Sequence, residues 1–227
     1  MINIKERLVQ VQEAIEKAAR ESGRSSKDIT LVAVTKGVEA QAVLEAREAG
    51  ILIFGENRVQ EAESKIPLVP QLDIQWHMIG HLQTNKIKTA LSLFSLIQSV
   101  DSVRLAKEIS EISTADNKVT QILLEVNISG ASKKFGFSAD EIYTAIDLIV
   151  KLPAIRVLGL MAIGPHRVEN EVKHQAFKKL KGIFSVCKSI KSGNLEMKHL
   201  SMGMSDDFEI AIEEGANMIR VGRALFR

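Results

Sequence analysis

The stretch Ile29-Thr30-Leu31-Val32-Ala33-Val34-Thr35-Lys36 joins seven mostly apolar or β-branched residues to one cationic side chain. Short apolar runs rich in Val, Ile and Thr are typical of buried strands rather than helices. The lysine therefore stands where a buried strand ends, and Gly37 and a helix-like segment over 39–49 follow it. A lysine amine held at such a place can act as the nucleophile of Schiff-base chemistry, and a solvated lysine at a strand end is the ordinary alternative.

The same order of strand and helix repeats along the chain. Strands are expected at 29–36, 51–54, 74–79, 94–100, 121–128, 157–163, 199–202 and 218–221, with helix-like segments between them. An amphipathic helix over 1–23 precedes the first strand, because apolar residues recur at helical spacing and Gly23 is a natural stop. Alternating strands and helices imply a parallel sheet.

Eight such units within 227 residues predict a single (β/α)8 barrel domain over residues 1–227, near the lower end of the size range of that fold. A doubly wound open sheet is the alternative. Only five residues follow Gly222, which is too few for an eighth helix after the last strand. We therefore expect the N-terminal helix to cover that gap beside strand eight.

The composition argues against several classes of protein. A net charge of +2 gives no general attraction to nucleic acid or membranes, and 4% aromatic residues leave little to stack on single-stranded nucleic acid. No apolar run reaches the roughly 18 residues of a membrane span, and residues 1–22 lack the apolar core of a signal peptide. The single cysteine, Cys187, excludes an internal disulfide and fits a cytoplasmic location.

Polar side chains stand at many of the predicted strand ends, which share one mouth in a barrel. The strand-end residues are Lys36, Asn57, His77, Asn127, Met161, Ser201 and Arg220. Several of these residues also have an ordinary structural interpretation. His77 would be a core histidine whose hydrogen bonds are satisfied, Asn57 would form a turn or a helix cap, and Asn127 and Glu125 would point outward to cap helices.

The last two strand ends carry small residues, in Ser201-Met202-Gly203-Met204-Ser205 and Val221-Gly222-Arg223. Barrels often bind phosphate with the loops after strands seven and eight through backbone N–H groups. Gly222 would let the backbone approach an anion and Ser201 offers a hydroxyl, while ordinary turn chemistry is the alternative. Strands one and eight are neighbours in a closed barrel, so Lys36 beside this site predicts a phosphorylated carbonyl compound as ligand.

Several short motifs in the chain carry a family resemblance. They are Leu31–Lys36, Phe54-Gly55-Glu56-Asn57, Val59-Gln60-Glu61, Trp76-His77-Met78-Ile79-Gly80, Leu82-Gln83-Thr84-Asn85-Lys86, Gly159-Leu160-Met161-Ala162, Leu200–Asp207 and Ile219-Arg220-Val221-Gly222. In this set and order the sequence resembles the pyridoxal phosphate homeostasis protein family, small relatives of the N-terminal barrel of alanine racemase. The resemblance covers nearly the whole chain.

The resemblance implies a role for each of the predicted cofactor residues. Lys36 would hold pyridoxal phosphate as an internal aldimine. Ser201, together with the backbone N–H groups of Gly222 and Arg223, would hold the phosphate. No catalytic residue and no metal ligand is implied.

Three further residues would lie around the cofactor ring. Arg220 would face the pyridine nitrogen, and Asn57 and His77 would lie near the ring. A guanidinium always carries its proton and has no acceptor, so the ring nitrogen would stay unprotonated and the cofactor would be a weak electron sink. Racemases of this fold use a second base, a tyrosine from a second domain, whereas the only tyrosine here, Tyr143, is predicted on a helix away from the strand ends.

Three functions remain open from the sequence. The first is a binding protein that buffers pyridoxal phosphate and delivers it, with PLP-dependent apo-enzymes as possible partners. The second is a small amino-acid racemase that uses Lys36 as one base. The third is a phosphate-binding barrel enzyme, such as a sugar-phosphate aldolase, whose lysine attacks the substrate itself. A monomer and a weak dimer are both compatible with the sequence.

Overall fold

Eight parallel strands close into a barrel in sequence order, with β8 paired to β1. The computed structural model describes residues 3–69, 73–129 and 135–227. The strands are β1 Thr30–Val34, β2 Ile53–Glu56, β3 Gln75–Met78, β4 Leu96–Val100, β5 Thr120–Glu125, β6 Ile155–Met161, β7 Leu195–Ser201 and β8 Met218–Val221. The predicted (β/α)8 barrel is confirmed, and the open sheet is wrong because no strand among these eight is left at an edge.

Helices lie on the outside of the barrel, and most of them connect consecutive strands. They are α1 Ile4–Glu21, α2 Ala40–Glu48, α3 Val59–Lys65, α4 Ile87–Leu93, α5 Val103–Ala115, α6 Glu141–Ile149, α7 Asn170–Cys187, α8 Phe208–Glu213 and α9 Arg223–Phe226. Capping residues set some of their starts. Before α6, the Glu141 N–H donates to Ser138 Oγ (3.2 Å) and the Ser138 N–H donates to Glu141 Oε2 (3.0 Å), which is a capping box.

The N-terminal helix α1 packs against α8 and α9. Its buried face includes Leu8, Val11 and Ile15, at the spacing of one helical stripe. The prediction that no helix follows the last strand is wrong, because the four-residue α9 begins directly after Gly222. Arg7 of α1 donates from Nη1 to the backbone carbonyl of Arg227, the residue that follows α9. The placement of α1 beside β8 stays a prediction.

Apolar side chains form two layers, one on each side of the strands. A small inner layer fills the barrel and consists of Val32, Leu96, Leu123, Leu158, Met161 and Met218. The larger outer layer lies between strands and helices and includes fully buried Phe54 and Phe177.

Within the described ranges, no helix has both the length and the apolar character needed to cross a membrane. The assignment of residues 1–227 to a single domain stays a prediction.

Candidate functional site

Lys36 lies at the carboxyl-terminal mouth of the barrel, just beyond β1. The strand ends at Val34, two residues before the predicted end, and Lys36 belongs to the turn that follows. Its side chain is exposed, and it makes no hydrogen bond or ion pair with any residue that the structure describes. Lys36 lines a cavity of about 580 Å³ together with Asn57 and His81. The amine is therefore accessible to a ligand in the mouth.

His81 is a polar residue of this cavity that the sequence analysis missed. Its Nδ1 lies 2.8 Å from Asp101 Oδ2, and its ring stacks on Phe135 with centroids 3.7 Å apart and planes 12° apart. A histidine held on two sides in this way has a defined orientation. The signal was available, because His81 follows Gly80, three residues after the end of β3.

A group of hydrogen-bond donors lies at the end of β8. The Ser205 hydroxyl accepts from the N–H of Gly222 (3.3 Å) and from the N–H of Ala224 (3.4 Å). Arg223 lies between them and is the first residue of α9, so its N–H has no acceptor within the helix. We call the Ser205 hydroxyl and these three N–H groups the amide cluster. Barrels bind phosphate with groups of this kind after their last two strands.

The amide cluster adjoins the strand that carries Lys36. β8 pairs with β1 in the register Val221 to Ala33. A Cβ placed on Gly222 would lie 3.1 Å from the carbonyl oxygen of Val34, so the glycine permits close contact between the two strand ends. Lys36 follows Val34 by two residues. An exposed amine and a group of backbone N–H donors therefore lie at neighbouring strand ends.

Ser201 lies inside the barrel and outside the amide cluster. Its side chain is fully buried, and its hydroxyl accepts from Arg220 Nη1 (2.6 Å) and donates to Gln98 Oε1 (2.6 Å). Gln98 Nε2 lies 3.0 Å from His77 Nδ1 and 3.3 Å from Met218 Sδ. Ser201, Arg220 and His77 are thus brought together, through Gln98, in one buried chain of hydrogen bonds.

The direction of that chain follows from the chemistry of arginine. A guanidinium only donates, so Ser201 accepts from Arg220 and gives its own proton to Gln98 Oε1. The amide nitrogen of Gln98 then donates to Nδ1 of His77, which leaves the ring proton on Nε2. Burial, and to a smaller extent His199, lowers the pKa of His77 to about 3, so the ring is neutral.

His77 also lines a second cavity, of about 280 Å³, at the amino ends of the strands. Residues from the start of several strands line this cavity, among them Thr30 of β1 and Met218 of β8. His77 therefore reaches the end of the barrel opposite to the mouth that holds Lys36.

Arg220 and Glu125 are two buried charged residues near the mouth. Arg220 is 3% exposed and donates from Nη2 to the carbonyl of Ala162 (2.9 Å). Burial lowers its pKa to about 10, against the attraction of Glu125 and Asp207, so it stays cationic at neutral pH. Burial, helped by Asp101 and opposed by Arg220, raises the pKa of Glu125 to about 7. The interpretation of Glu125 as an outward-facing cap is wrong, because its side chain is buried.

The two remaining predicted residues lie at the mouth. Asn57 is half-buried and shares the cavity of Lys36, and its backbone packs so closely on Gly80 that a Cβ there would lie 2.3 Å from the Asn57 carbonyl oxygen. The side chain of Arg223 is exposed and forms an ion pair with Asp206, so only its backbone faces the amide cluster.

Among the described residues, no three His, Cys, Asp or Glu side chains converge to hold a metal ion.

The geometry fits a phosphorylated aldehyde. A phosphate needs several donors at one point, which the amide cluster supplies, and an aldehyde needs a nearby unpaired amine, which Lys36 supplies. Gly222 keeps the two strand ends in contact, and Lys36 and the amide cluster lie just beyond these two ends.

Comparison with known proteins identifies the family of the chain. Residues 9–227 match the family model of the alanine racemase N-terminal domain. The chain is 39% identical to the pyridoxal phosphate homeostasis protein of Aquifex aeolicus, covering 99% of this chain and 98% of that protein. It is 38% identical to the protein of the same name from Pseudomonas aeruginosa, covering 100% and 96%.

Solved structures agree with the sequence relatives. An unknown protein from Bifidobacterium adolescentis superposes with a TM-score of 0.93 at 33% identity, covering 98% of this chain and 94% of that one. PipY of Synechococcus elongatus, solved with PLP bound, superposes with a TM-score of 0.87 at 31% identity, covering 99% and 100%. Alanine racemase of Clostridium difficile shares the fold alone, with a TM-score of 0.74 at 15% identity over 98% of this chain and 56% of that one. The chain belongs to the alanine racemase N-terminal domain family and, within it, to the pyridoxal phosphate homeostasis proteins.

Proposed function

We propose that this protein binds pyridoxal phosphate (PLP), holds it through a covalent bond to Lys36, and serves as a carrier rather than as an enzyme. The observation that carries the proposal is the unpaired amine of Lys36 beside the amide cluster, at the ends of the paired strands β1 and β8. PLP supplies an aldehyde, with which a primary amine condenses. PLP bound to PipY, and the name shared by the curated relatives, support the same ligand.

The amide cluster would bind the phosphate. The Ser205 hydroxyl would turn from its present N–H partners toward the phosphate, and the N–H groups of Gly222, Arg223 and Ala224 would donate to it. We propose Ser205 in this role instead of Ser201. The Ser201 hydroxyl already donates its one proton to Gln98 and accepts from Arg220 inside the barrel, so it has no proton to donate to a phosphate. Gly222 and Arg223 keep the backbone roles expected from the sequence.

Arg220 would orient the pyridine ring by donating toward its nitrogen. Two of its N–H groups are committed to Ser201 and Ala162, which fixes the plane of the guanidinium. Arg220 has no acceptor to offer, so it would hold the ring nitrogen unprotonated and would reduce the stabilisation of a carbanion. This weak activation supports a carrier. Asn57 would lie beside the ring on the Lys36 side, whereas the contacts of His77 with Gln98 favour a structural role for that residue.

The proposed role as a carrier goes beyond the binding of PLP. The protein would keep a reactive aldehyde bound and release it to PLP-dependent apo-enzymes. The cytoplasm as its location, and a monomer or weak dimer as its state, are proposals that rest on the sequence.

The test is the absorption spectrum of the protein mixed with PLP, before and after borohydride. We expect a band near the visible edge that borohydride removes, and a mass increase on the peptide that contains Lys36. We also expect the loaded protein to restore activity to a PLP-dependent apo-enzyme. A mass increase spread over several surface lysines would contradict a specific bond to Lys36.

One observation favours a weak racemase as a second candidate. His81, oriented by Asp101, lines the same cavity as Lys36 and is a possible second acid–base group, whereas Tyr143 packs against the core from α6. Nuclear magnetic resonance of an amino acid in deuterium oxide with the loaded protein tests this function. Exchange of the α-proton that is lost in a His81→Gln variant would support it, and no exchange supports the carrier.

A further inference from the structure

Lys36 occupies the second position of a tight turn, Thr35 to Val38. The N–H of Val38 donates to the carbonyl of Thr35 (2.9 Å), which closes the turn. Gly37, at the third position, has φ +65°, a conformation that favours glycine. The side chain of Lys36 has no partner among the described residues, so only the backbone of this turn sets the direction in which it leaves the chain.

Both peptide groups that flank Lys36 are held by side chains from α3. The amine of Lys65 donates to the carbonyl of Thr35 (2.6 Å), and the N–H of Gly37 donates to Glu61 Oε1 (2.5 Å). Peptide groups are planar, so the backbone of Lys36 can rotate only about φ and ψ. Rotation about φ moves the Thr35 carbonyl and rotation about ψ moves the Gly37 N–H. The two contacts therefore fix the Cα–Cβ direction of Lys36.

The two side chains also hold each other. Lys65 Nζ lies 3.0 Å from Glu61 Oε1, one helical turn away on α3, and forms a second ion pair with Glu56 at the end of β2. Glu56 Oε1 also accepts from Thr35 Oγ1 (2.6 Å). Lys65 is 7% exposed and Glu56 is 0% exposed, so the ion pair between them is shielded from water.

The charges of this group suit a rigid support. Burial raises the pKa of Glu56, whose Oε2 is buried without a hydrogen-bond partner among the described residues. Burial alone would also raise the pKa of Glu61, but the hydrogen bonds from Gly37 and Lys65 bring it below its ordinary value. Glu61 is therefore the firmly ionised partner of Lys65, and the same carboxylate oxygen accepts from the Gly37 N–H.

We propose that Glu61 and Lys65 are positioning residues for Lys36, which hold the turn from Thr35 to Gly37 so that the Lys36 amine points at the aldehyde of the cofactor. This inference rests on the proposed function, since it concerns the covalent bond to Lys36. Neither residue needs to touch the cofactor for this effect. Without them, a long side chain with four rotatable bonds would start from a backbone that is itself free to rotate.

The test separates the covalent contribution to binding from the rest. PLP and its alcohol, pyridoxine 5′-phosphate, share the ring and the phosphate, but only PLP can bond to Lys36. The ratio of the two dissociation constants, measured by fluorescence or calorimetry, therefore reports on Lys36. In Glu61→Ala we expect the preference for PLP to fall by roughly 5- to 30-fold, the range for freeing the backbone of one residue. The affinity for the alcohol should stay that of the wild type.

Matched variants distinguish positioning from general damage. Glu63→Ala, an exposed glutamate of the same helix that makes no hydrogen bond or ion pair with the described residues, should leave the ratio unchanged. Glu61→Gln keeps an oxygen for the Gly37 N–H and should recover part of the preference. Lys65→Met, checked for folding by thermal unfolding because it leaves Glu56 without its cation, should lose the preference as Glu61→Ala does.

Each result decides the question. A wild-type preference that Glu61→Ala leaves unchanged would overturn the positioning role, and so would an equal loss of affinity for both ligands, which indicates a merely structural role. No preference in the wild type would overturn the proposed covalent bond to Lys36 and this inference with it. The rate of borohydride trapping at Lys36, slowed in Glu61→Ala and unchanged in Glu63→Ala, would support it independently.

Discussion

The mouth and the interior of the barrel both hold polar side chains, but their polar groups are satisfied in different ways. In the interior, Arg220, Ser201, Gln98 and His77 use one another as partners in a single chain. At the mouth, Lys36 has no partner among the described residues. A polar group without a partner at an accessible place is available to a ligand, whereas the members of a buried network hold one another in place. Arg220 is held in this way and would keep further N–H groups for the pyridine nitrogen.

Hydrogen-bond partners distinguish a group that is free to bind from a group that supports its neighbours. Ser201 and Ser205 are four residues apart and chemically identical. The first is fully buried between Arg220 and Gln98, and the second lies at the surface of the mouth against the N–H groups of Gly222 and Ala224. Residue type alone does not separate them, but their hydrogen-bond partners do. Substitutions at the mouth and in the interior should therefore have different effects.

The largest effect is expected for Lys36→Ala. This variant removes the one amine assigned to the covalent bond, so the band near the visible edge and the borohydride-trapped mass should disappear. Weaker binding through the amide cluster and Arg220 should persist, because those groups are untouched. Lys88→Ala, on the exposed face of α4, is the control and should keep the covalent band. Trapping that continues in Lys36→Ala would remove Lys36 from the site.

The strand order of the barrel was predictable from the sequence because Gly and Pro end many of the apolar runs. β8 matches its predicted range, Met218–Val221, since Gly222 follows it directly. β1 is shorter than predicted, because Thr35 looks like one more β-branched strand residue but begins the turn. The contacts of Lys65 and Glu61 that hold this turn come from α3, more than 20 residues away in the sequence.

The second prediction concerns the boundary between mouth and interior, where Glu125 is buried. Its pKa of about 7 lies above the ordinary value of about 4.5, so the folded protein keeps a proton that the unfolded chain releases. The stability contribution of Glu125 is therefore greatest below pH 4.5 and is lost as pH rises to 7, by about 1.4 kcal/mol per pH unit, on the order of 3 kcal/mol in all. Urea unfolding of the wild type and Glu125→Gln at several pH values measures the difference. Parallel pH profiles of the two proteins would contradict a raised pKa of Glu125.

The site was only partly predictable, for reasons of register. The end of the run 29–36 was enough to identify Lys36, and the glycines after the last two strands were enough to direct attention to residues 201–223. Which serine faces the interior depends on the pairing of Ser201 with Met161 and with Met218, which no local pattern reveals. Gln98 was missed for the same reason, since it lies within the apolar strand β4, and only the closed barrel brings it to Ser201 of β7.

The third prediction compares the two serines by replacing each of them with alanine. Ser205→Ala should weaken PLP binding about ten- to hundredfold, the effect of one hydrogen bond to a charged group, while the affinity for phosphate-free pyridoxal stays the same. Ser201→Ala should instead lower the free energy of unfolding by about 1–3 kcal/mol, because Arg220 and Gln98 lose a buried partner. The dissociation constants of PLP and pyridoxal, with urea unfolding of both variants, provide the measurement. The opposite pattern would return the phosphate role to Ser201.

The smallest effect is expected for Gly222→Ala, which tests how the amide cluster is held in place. The new Cβ would lie 3.1 Å from the Val34 carbonyl oxygen and 3.2 Å from Val34 Cβ, so β8 must move away from β1 by a few tenths of an ångström. The N–H groups of residues 222–224 move with it, and we expect PLP to bind a few times more weakly, with the loss confined to the phosphate contribution. Gly193→Ala, where a Cβ meets nothing within 4 Å, is the matched control and should bind PLP as the wild type does. If Gly222→Ala bound PLP normally, the contact between β8 and β1 would not set the position of the donors. The mouth would then tolerate an added methyl group better than the closely packed interior beneath it.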